Sequence, residues 1–208
     1  MRFVAFSDTH GWHDYLPLPE GDVLLFGGDM CGRGTLDEVA RFARFLEKQP
    51  HAHKVVIAGN HDWPFERTPQ EAREALGEVT YLQDETVEIE GVKIYGSPWQ
   101  PEFFQWAFNL PRGKPLRETW AKIPDDTQIL LTHGPPHDIL DLTSRRVAAG
   151  CEALRERVEE LPQLQAHIFG HIHEAYGRAV LGRCTFYNAS ICDLAQRAAV
   201  NPPWVFDL

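Results

Sequence analysis

Several features that mark particular classes of protein are missing or scarce in this sequence. Its 208 residues include only four cysteines, and no Cys-x-x-Cys pair is present, which disfavours a disulfide framework and predicts reduced structural thiols. No apolar run approaches the ~18 residues of a membrane-spanning helix. The chain opens on a strand-like segment instead of the charged and then apolar layout of a secretory signal. These absences predict a soluble cytoplasmic protein without a membrane partner.

Positive charge is also scarce. The 20 Lys and Arg residues are outnumbered by 30 Asp and Glu residues, which gives a formal net charge of -10. This balance disfavours tight binding to long nucleic acid, because such binding needs Lys and Arg to neutralise phosphates. Bound divalent cations would offset part of the negative charge locally, so a phosphate-bearing substrate is not excluded.

The rest of the composition is that of an ordinary globular protein. Hydrophobic residues make up 43% of the chain and charged residues 24%, a balance that fits neither disorder nor a fibrous repeat. No internal repeat, low-complexity segment or clear linker divides the sequence. We therefore expect one domain that covers residues 1–208.

Apolar runs that alternate with helical patterns indicate an α/β protein. Residues 22–26 and 54–58 read as buried strands, and the helix between them starts at a Thr35 and Glu38 capping box, which together make a parallel β-α-β unit. Further along, the pattern predicts a hairpin over 85–96, a helix over 145–161 and two strands within 176–188. Aromatic side chains within 97–113 are expected to cover the core.

Metal-type side chains follow five of the predicted strands. Each segment alone has an ordinary explanation: Asp8 can cap a turn, Asn60 can belong to a plain turn, and a His-x-His pair can be structural. Parallel strands, however, gather their carboxyl ends along one edge of a sheet, where these side chains would meet. The candidates are Asp8, His10, Asp29, Asn60, His133, His171 and His173.

The donor types of this set indicate a catalytic metal centre. Carboxylate, amide and imidazole donors without a thiolate fit a site for Mn, Fe or Zn better than they fit a structural zinc cage. Seven ligands are too many for one tetrahedral ion, and they suit two ions that share a carboxylate, an arrangement used in phosphoryl transfer.

The same residues carry a family resemblance. The sequence resembles the calcineurin-like metallophosphoesterase superfamily in five signature blocks that occur in the family's order: Asp8-Thr9-His10, Gly28-Asp29, Gly59-Asn60-His61-Asp62, Thr132-His133-Gly134 and Gly170-His171-Ile172-His173. The resemblance implies an α/β metallophosphoesterase fold, in which two mixed β-sheets flanked by helices form a four-layer sandwich. It also implies a metal-dependent phosphohydrolase.

The resemblance assigns roles by position. Asp8, His10 and His173 would hold one ion and Asn60, His133 and His171 the other, with Asp29 bridging both. A hydroxide between the two ions would attack phosphorus. Manganese is the expected metal, with Fe, Zn, Ni or Co as alternatives.

The resemblance also assigns roles to two residues that would not bind metal. His61 would protonate the leaving oxygen or stabilise its charge, and Asp62 could orient the His61 imidazole. Outside the five blocks, Asn109 and Arg112 are candidate substrate contacts, although Arg112 could equally be an ordinary surface arginine.

Three further segments resemble the metallophosphoesterase domain-containing subfamily, relatives of the class III cyclic-nucleotide phosphodiesterases: residues 96–101, 108–113 and 132–136. The subfamily is not uniform at the first His of the Gly-His-x-His block, and this chain has His171 there, which favours activity. Asp138 departs from the glycine that the resemblance leads us to expect.

The expected function is therefore a dinuclear metal-dependent phosphodiesterase that acts on a small phosphate ester such as a cyclic nucleotide. Two alternatives stay open at this stage. One is a phosphomonoesterase, including a protein phosphatase, and the other is a non-catalytic binding scaffold on the same fold.

Overall fold

The first of two large sheets carries the N-terminal strands. A computed structural model describes residues 1–193, 195 and 198–208. The strands of this sheet are β1 (Arg2–Phe6), β2 (Val23–Phe26), β3 (His53–Val56), β4 (Thr80–Tyr81) and β13 (Trp204–Asp207). Their order is β13-β1-β2-β3-β4, and every pairing is parallel except that of β13 with β1. The carboxyl ends of β1, β2 and β3 therefore lie along the same edge.

The second large sheet is formed by β5 (Glu85–Ile89), β6 (Val92–Ser97), β9 (Ile129–Thr132), β10 (Ala166–Phe169), β11 (Gly177–Leu181) and β12 (Cys184–Asn188). Their order is β11-β12-β10-β9-β6-β5, with β9 parallel to both β6 and β10. The short strands β7 (Gln100–Pro101) and β8 (Asn109–Leu110) pair separately.

Alternation along the strands builds three apolar layers. In β1, Phe3 and Ala5 face the second sheet, whereas Val4 and Phe6 pack with residues of the helices on the outer side. The outer face of the second sheet, which includes Leu130, contributes to a third cluster with Trp120 of a neighbouring helix. The resulting order of helix, sheet, sheet and helix confirms the expected four-layer fold.

The helices are α1 (Leu36–Glu47), α2 (Trp63–Arg67), α3 (Pro69–Leu76), α4 (Lys114–Trp120) and α5 (Glu152–Glu160), and two short 3-10 turns cover His13–Tyr15 and His173–Ala175. The predicted capping box of α1 is present, because Glu38 N–H donates to Thr35 Oγ1 at 3.3 Å and Thr35 N–H donates back to Glu38 Oε2 at 3.0 Å. Over the part of the chain that the structure describes, no helix has the length and apolarity needed to cross a membrane.

The structure differs from the sequence analysis in one predicted helix and in one additional strand. The helix expected over 145–161 is wrong in its first part: α5 starts only at Glu152, and Leu142 instead pairs with Ala148 in a turn. Arg146 has φ 58° there, a left-handed conformation that no α-helix accommodates. Strand β13 was not predicted, because four residues near the C-terminus become a strand only through pairing with β1.

Candidate metal centre

Seven side chains from both sheets converge where the ends of β1, β2, β3, β9 and β10 meet. All of them are buried except His171, which is partly exposed. The structure thus brings together the residues that the sequence placed at separate strand ends. They are Asp8, His10, Asp29, Asn60, His133, His171 and His173.

One half of the cluster contains Asp8, His10 and His173. The Nε2 atoms of His10 and His173 lie 3.2 Å apart, and His173 Nε2 is also 3.2 Å from Asp8 Oδ1. One ligand atom from each of the three residues falls within 4.8 Å of the others, a spacing that could hold a metal ion.

The other half is arranged around Asn60. Its Oδ1 lies 2.8 Å from His133 Nε2 and 2.8 Å from His171 Nδ1. Between the halves, Asp29 Oδ2 is 3.6 Å from His10 Nε2 and 3.5 Å from His133 Nε2. Asp29 is therefore the carboxylate that contacts both groups of ligands.

Three of the imidazoles are oriented by backbone carbonyls. Nδ1 of His10 lies 3.2 Å from Cys31 O, Nδ1 of His133 lies 3.0 Å from Gly27 O, and Nδ1 of His173 lies 3.0 Å from Asp193 O. An Nδ1–H that donates to a carbonyl leaves the Nε2 lone pair for a metal ion, as in most protein metal sites. This tautomer pattern fits a metal centre and not a chance cluster of polar residues.

The charges of the cluster also fit bound cations. Burial disfavours the Asp8 anion, yet the hydrogen bond and charge of His173 outweigh burial and hold the pKa of Asp8 well below its usual range. In the same pair, burial lowers the pKa of His173 but Asp8 raises it to about 9. The pKa of His133 is affected in the same way: burial lowers it, but the charge of Asp29 raises it to about 9. The buried carboxylates thus attract positive charge even when only protons supply it.

The backbone at these strand ends is strained. Asp8, His10, Asp29 and His171 have φ values of 54°, 42°, 60° and 67°. Residues other than glycine adopt this left-handed region at a cost, and they are held there mainly at functional sites. The folded chain therefore supports an unfavourable local geometry that aims these side chains at one point.

Two glycines allow the strand ends to approach this closely. A Cβ atom at Gly59 would overlap Asp29 Oδ1, and a Cβ atom at Gly170 would overlap Asp8 Oδ2. The absence of a side chain is therefore required by contact with the carboxylates.

His61 lies beside the cluster, but its orientation has a different cause from the one expected. Its Nδ1 is 3.1 Å from Gly32 O, whereas the Asp62 carboxylate accepts hydrogen bonds from the backbone N–H groups of Asp29, Cys31 and Gly59 at 2.8–2.9 Å. The orienting contact predicted for Asp62 is thus made by a carbonyl oxygen. Asp62 instead joins the turns that follow β2 and β3.

The two candidate substrate residues are engaged with the protein itself. Asn109 Nδ2 donates to the carbonyls of Phe103 and Phe104, at 3.2 Å and 3.1 Å, and so shapes the turn between β7 and β8. Arg112 donates to Gly150 O at 2.7 Å and to Ala149 O at 2.8 Å.

Arg112 also borders a cavity of about 310 Å³ that reaches two of the candidate ligands, His171 and His173. Phe103 and Pro135 line it as well. The cavity is the space next to the metal cluster in which the organic part of a small substrate could lie.

Two residues of the site, Ser190 and Trp106, are not among those predicted from the sequence. Ser190 donates from Oγ to Asp8 Oδ2 at 2.8 Å, and Trp106 stacks on the His61 imidazole with 4.3 Å between ring centroids. Ser190 follows β12 by two residues, so its position after a strand is a pattern that could have indicated it. Trp106 and the carbonyl contacts depend on tertiary packing and have no comparable pattern.

Comparisons with known proteins agree with this geometry. The model of the calcineurin-like phosphoesterase family matches residues 1–175. Metallophosphoesterase domain-containing protein 1 of Homo sapiens is 40% identical to the chain over 231 residues, covering 100% of this chain and 71% of the human protein. The chain belongs to the calcineurin-like phosphoesterase family, whose members depend on two metal ions.

Two further proteins are similar to this chain, one in sequence and one in fold. UPF0046 protein C25E10.12 of Caenorhabditis elegans is 36% identical over 229 residues, covering 100% of this chain and 81% of the worm protein. The crystal structure of TT1561 of Thermus thermophilus superposes with a TM-score of 0.60 at 15% identity, over 90% of this chain and 88% of that one. At that identity the structural similarity shows the fold alone. The family supports metal-dependent hydrolysis of phosphate esters as the general activity.

Proposed function

We propose that this protein is a dinuclear metal-dependent phosphodiesterase that acts on small substrates, with cyclic nucleotides as the first class to test. One observation carries the proposal: Asp29 lies between two groups of ligands beside a cavity of about 310 Å³. Such a cavity matches a small ester better than the exposed chain of a phosphoprotein.

The residues present fit two divalent ions, because the imidazole tautomers and the two buried carboxylates Asp8 and Asp29 both favour cations. Asp8, His10 and His173 would hold one ion, and Asn60, His133 and His171 would hold the other, with Asp29 as the residue that would serve both. Bound there, the ions would activate water and neutralise charge on the phosphate. Manganese is our first choice, since oxygen and imidazole donors occur together without thiolates.

His61 supplies the proton for the leaving group in this proposal. A ligand-type atom of its side chain lies within 4.8 Å of those of His10 and Asp29, so the imidazole borders the reacting region. With Nδ1–H donating to Gly32 O, the protonated ring carries its second proton on Nε2. As the P–O bond breaks, the leaving oxygen takes the bond's electron pair and this proton, and the ring becomes neutral.

A substrate panel tests the proposal directly. The protein loaded with Mn is incubated with bis-p-nitrophenyl phosphate, p-nitrophenyl phosphate, cyclic nucleotides and a phosphopeptide. We expect metal-dependent turnover of diesters to exceed that of the two monoesters. Higher phosphopeptide turnover would instead establish a phosphatase.

Asp29→Ala separates the enzyme from a binding scaffold. Loss of the shared carboxylate should remove metal, measured by elemental analysis, and abolish hydrolysis while the circular dichroism spectrum is retained. Asp29→Asn is the matched control for shape, because it keeps the volume and removes the charge. Full cellular function of Asp29→Ala would favour the scaffold.

A further inference from the structure

One aromatic residue makes a contact that the proposed roles do not explain. The indole ring of Trp106 stacks on the His61 imidazole, with ring centroids 4.3 Å apart and planes inclined by 26°. His10 approaches the same imidazole edge-on at 4.6 Å, and Gly32 O holds its Nδ1 at 3.1 Å. The His61 ring is thus bounded by a flat face, an edge and one hydrogen bond.

The chain around Trp106 is fixed to the turn that bears His61. The next residue, Ala107, donates its N–H to Asn60 O at 3.2 Å, and Phe108 N–H donates to Glu66 Oε1 at 2.8 Å. Both Ala107 and Phe108 are fully buried, whereas Trp106 is partly exposed. Backbone contacts of the two residues that follow Trp106 therefore hold the indole against the imidazole.

The remaining orienting contacts leave a degree of freedom that the stack removes. A single hydrogen bond at Nδ1 restrains the χ2 torsion of the imidazole only loosely, because this torsion has broad energy wells and a hydrogen bond tolerates a range of angles. A ring stacked at such short range has a preferred offset geometry and restricts that rotation. Since proton transfer needs hydrogen-bond reach of the leaving oxygen, small rotations of His61 would matter.

We propose that Trp106 is a positioning residue that holds the His61 imidazole with Nε2 directed at the leaving oxygen. The proposal rests on the proposed role of His61 as proton donor. Trp106 acts through His61 and takes no part in holding the metal ions.

A leaving-group comparison tests this role. Trp106→Leu removes the flat ring and keeps apolar bulk, Trp106→Phe keeps a flat ring, and Phe104→Leu changes an aromatic of the same segment that is 76% exposed. Aryl phosphodiesters that release p-nitrophenol need little protonation, whereas those that release phenol need more. Trp106→Leu should lower kcat for the phenol ester by roughly tenfold to a hundredfold, and for the nitrophenol ester by much less.

The controls define the other outcomes. Trp106→Phe should restore most of the loss, KM and metal content should stay unchanged, and Phe104→Leu should behave like the unaltered protein. In a His61→Ala background, Trp106→Leu should cause no further decrease in kcat. Equal losses for both esters, a loss of metal, or an additive effect in the double variant would overturn the proposal.

A spectroscopic measurement checks the contact without any activity. In NMR spectra of the metal-free protein, the His61 ring protons, assigned with His61→Ala, should resonate upfield because the indole shields protons above its plane. Trp106→Leu should abolish this displacement and Phe104→Leu should not. An unchanged His61 spectrum in Trp106→Leu would refute the stack. If the displacement is lost as expected but no phosphodiester is hydrolysed, the proposed function alone fails.

Discussion

The metal cluster and the cavity wall beside it are built in different ways. The cluster comes from the ends of parallel strands, where Asp29 and Asn60 are buried and nearby backbone is strained. The wall comes from the segments around Phe103 and Ala149, which are held by side chains such as Asn109 and Arg112. We infer that the cluster determines which reaction is catalysed and that the wall determines which substrate fits.

The largest effects are expected from substitutions of Asn60 and His61, which are adjacent in the chain but have different proposed roles. Asn60→Ala removes the oxygen that lies 2.8 Å from both His133 and His171, and it should weaken one metal site by more than about 100-fold. His61→Ala should leave both ions bound and lower kcat by about 100-fold to 10,000-fold. Metal titrations and steady-state kinetics measure the two effects. Equal metal loss in both variants would contradict these separate roles of Asn60 and His61.

A smaller effect should appear where backbone and carboxylate are in contact. Gly59→Ala places a Cβ against Asp29 and should reduce the free energy of unfolding by about 1–3 kcal/mol, measured by urea denaturation. Gly134→Ala is the matched control, because its Cβ would meet Gln100 only at 3.4 Å. Similar losses of stability in both variants would show that the close approach at Gly59 is not responsible.

The smallest effect is expected at the wall. Arg112→Ala releases the carbonyls of Ala149 and Gly150, and it should raise KM by less than about tenfold while metal content is unchanged. Arg117→Ala, which removes an exposed ion pair with Glu156, should leave KM unaltered. A large decrease in metal content of Arg112→Ala would mean that wall and cluster are not separable.

The contrast between the metal cluster and the cavity wall also explains what could be predicted from the sequence. Apolar strands that end in Asp8, Asp29 or His133 have a local pattern, and parallel pairing brings such ends together within each of the two sheets. The α/β class and the convergence of strand-end side chains could therefore be predicted from the pattern, whereas the four-layer arrangement of two sheets was implied only by the family resemblance.

Other features depend on contacts between distant segments, which leave no periodic pattern in the chain. The stack of Trp106 on His61 is one example, and the carbonyl that orients His173 is another. The residues before α5 were predicted as helix because their composition permits one, but Arg146 adopts a left-handed turn. Strand β13 exists because β1 offers a partner.

The Asp62 carboxylate has a consequence for how metal binding relates to folding. It ties the turn after β2, at Asp29 and Cys31, to the turn after β3, at Gly59. Neither turn can become disordered without breaking hydrogen bonds of the other, so both belong to one cooperative unit of the native state. The conformational entropy of ordering Asp29 and Asn60 is therefore lost when the chain folds, and little of the metals' binding free energy is needed to arrange their ligands.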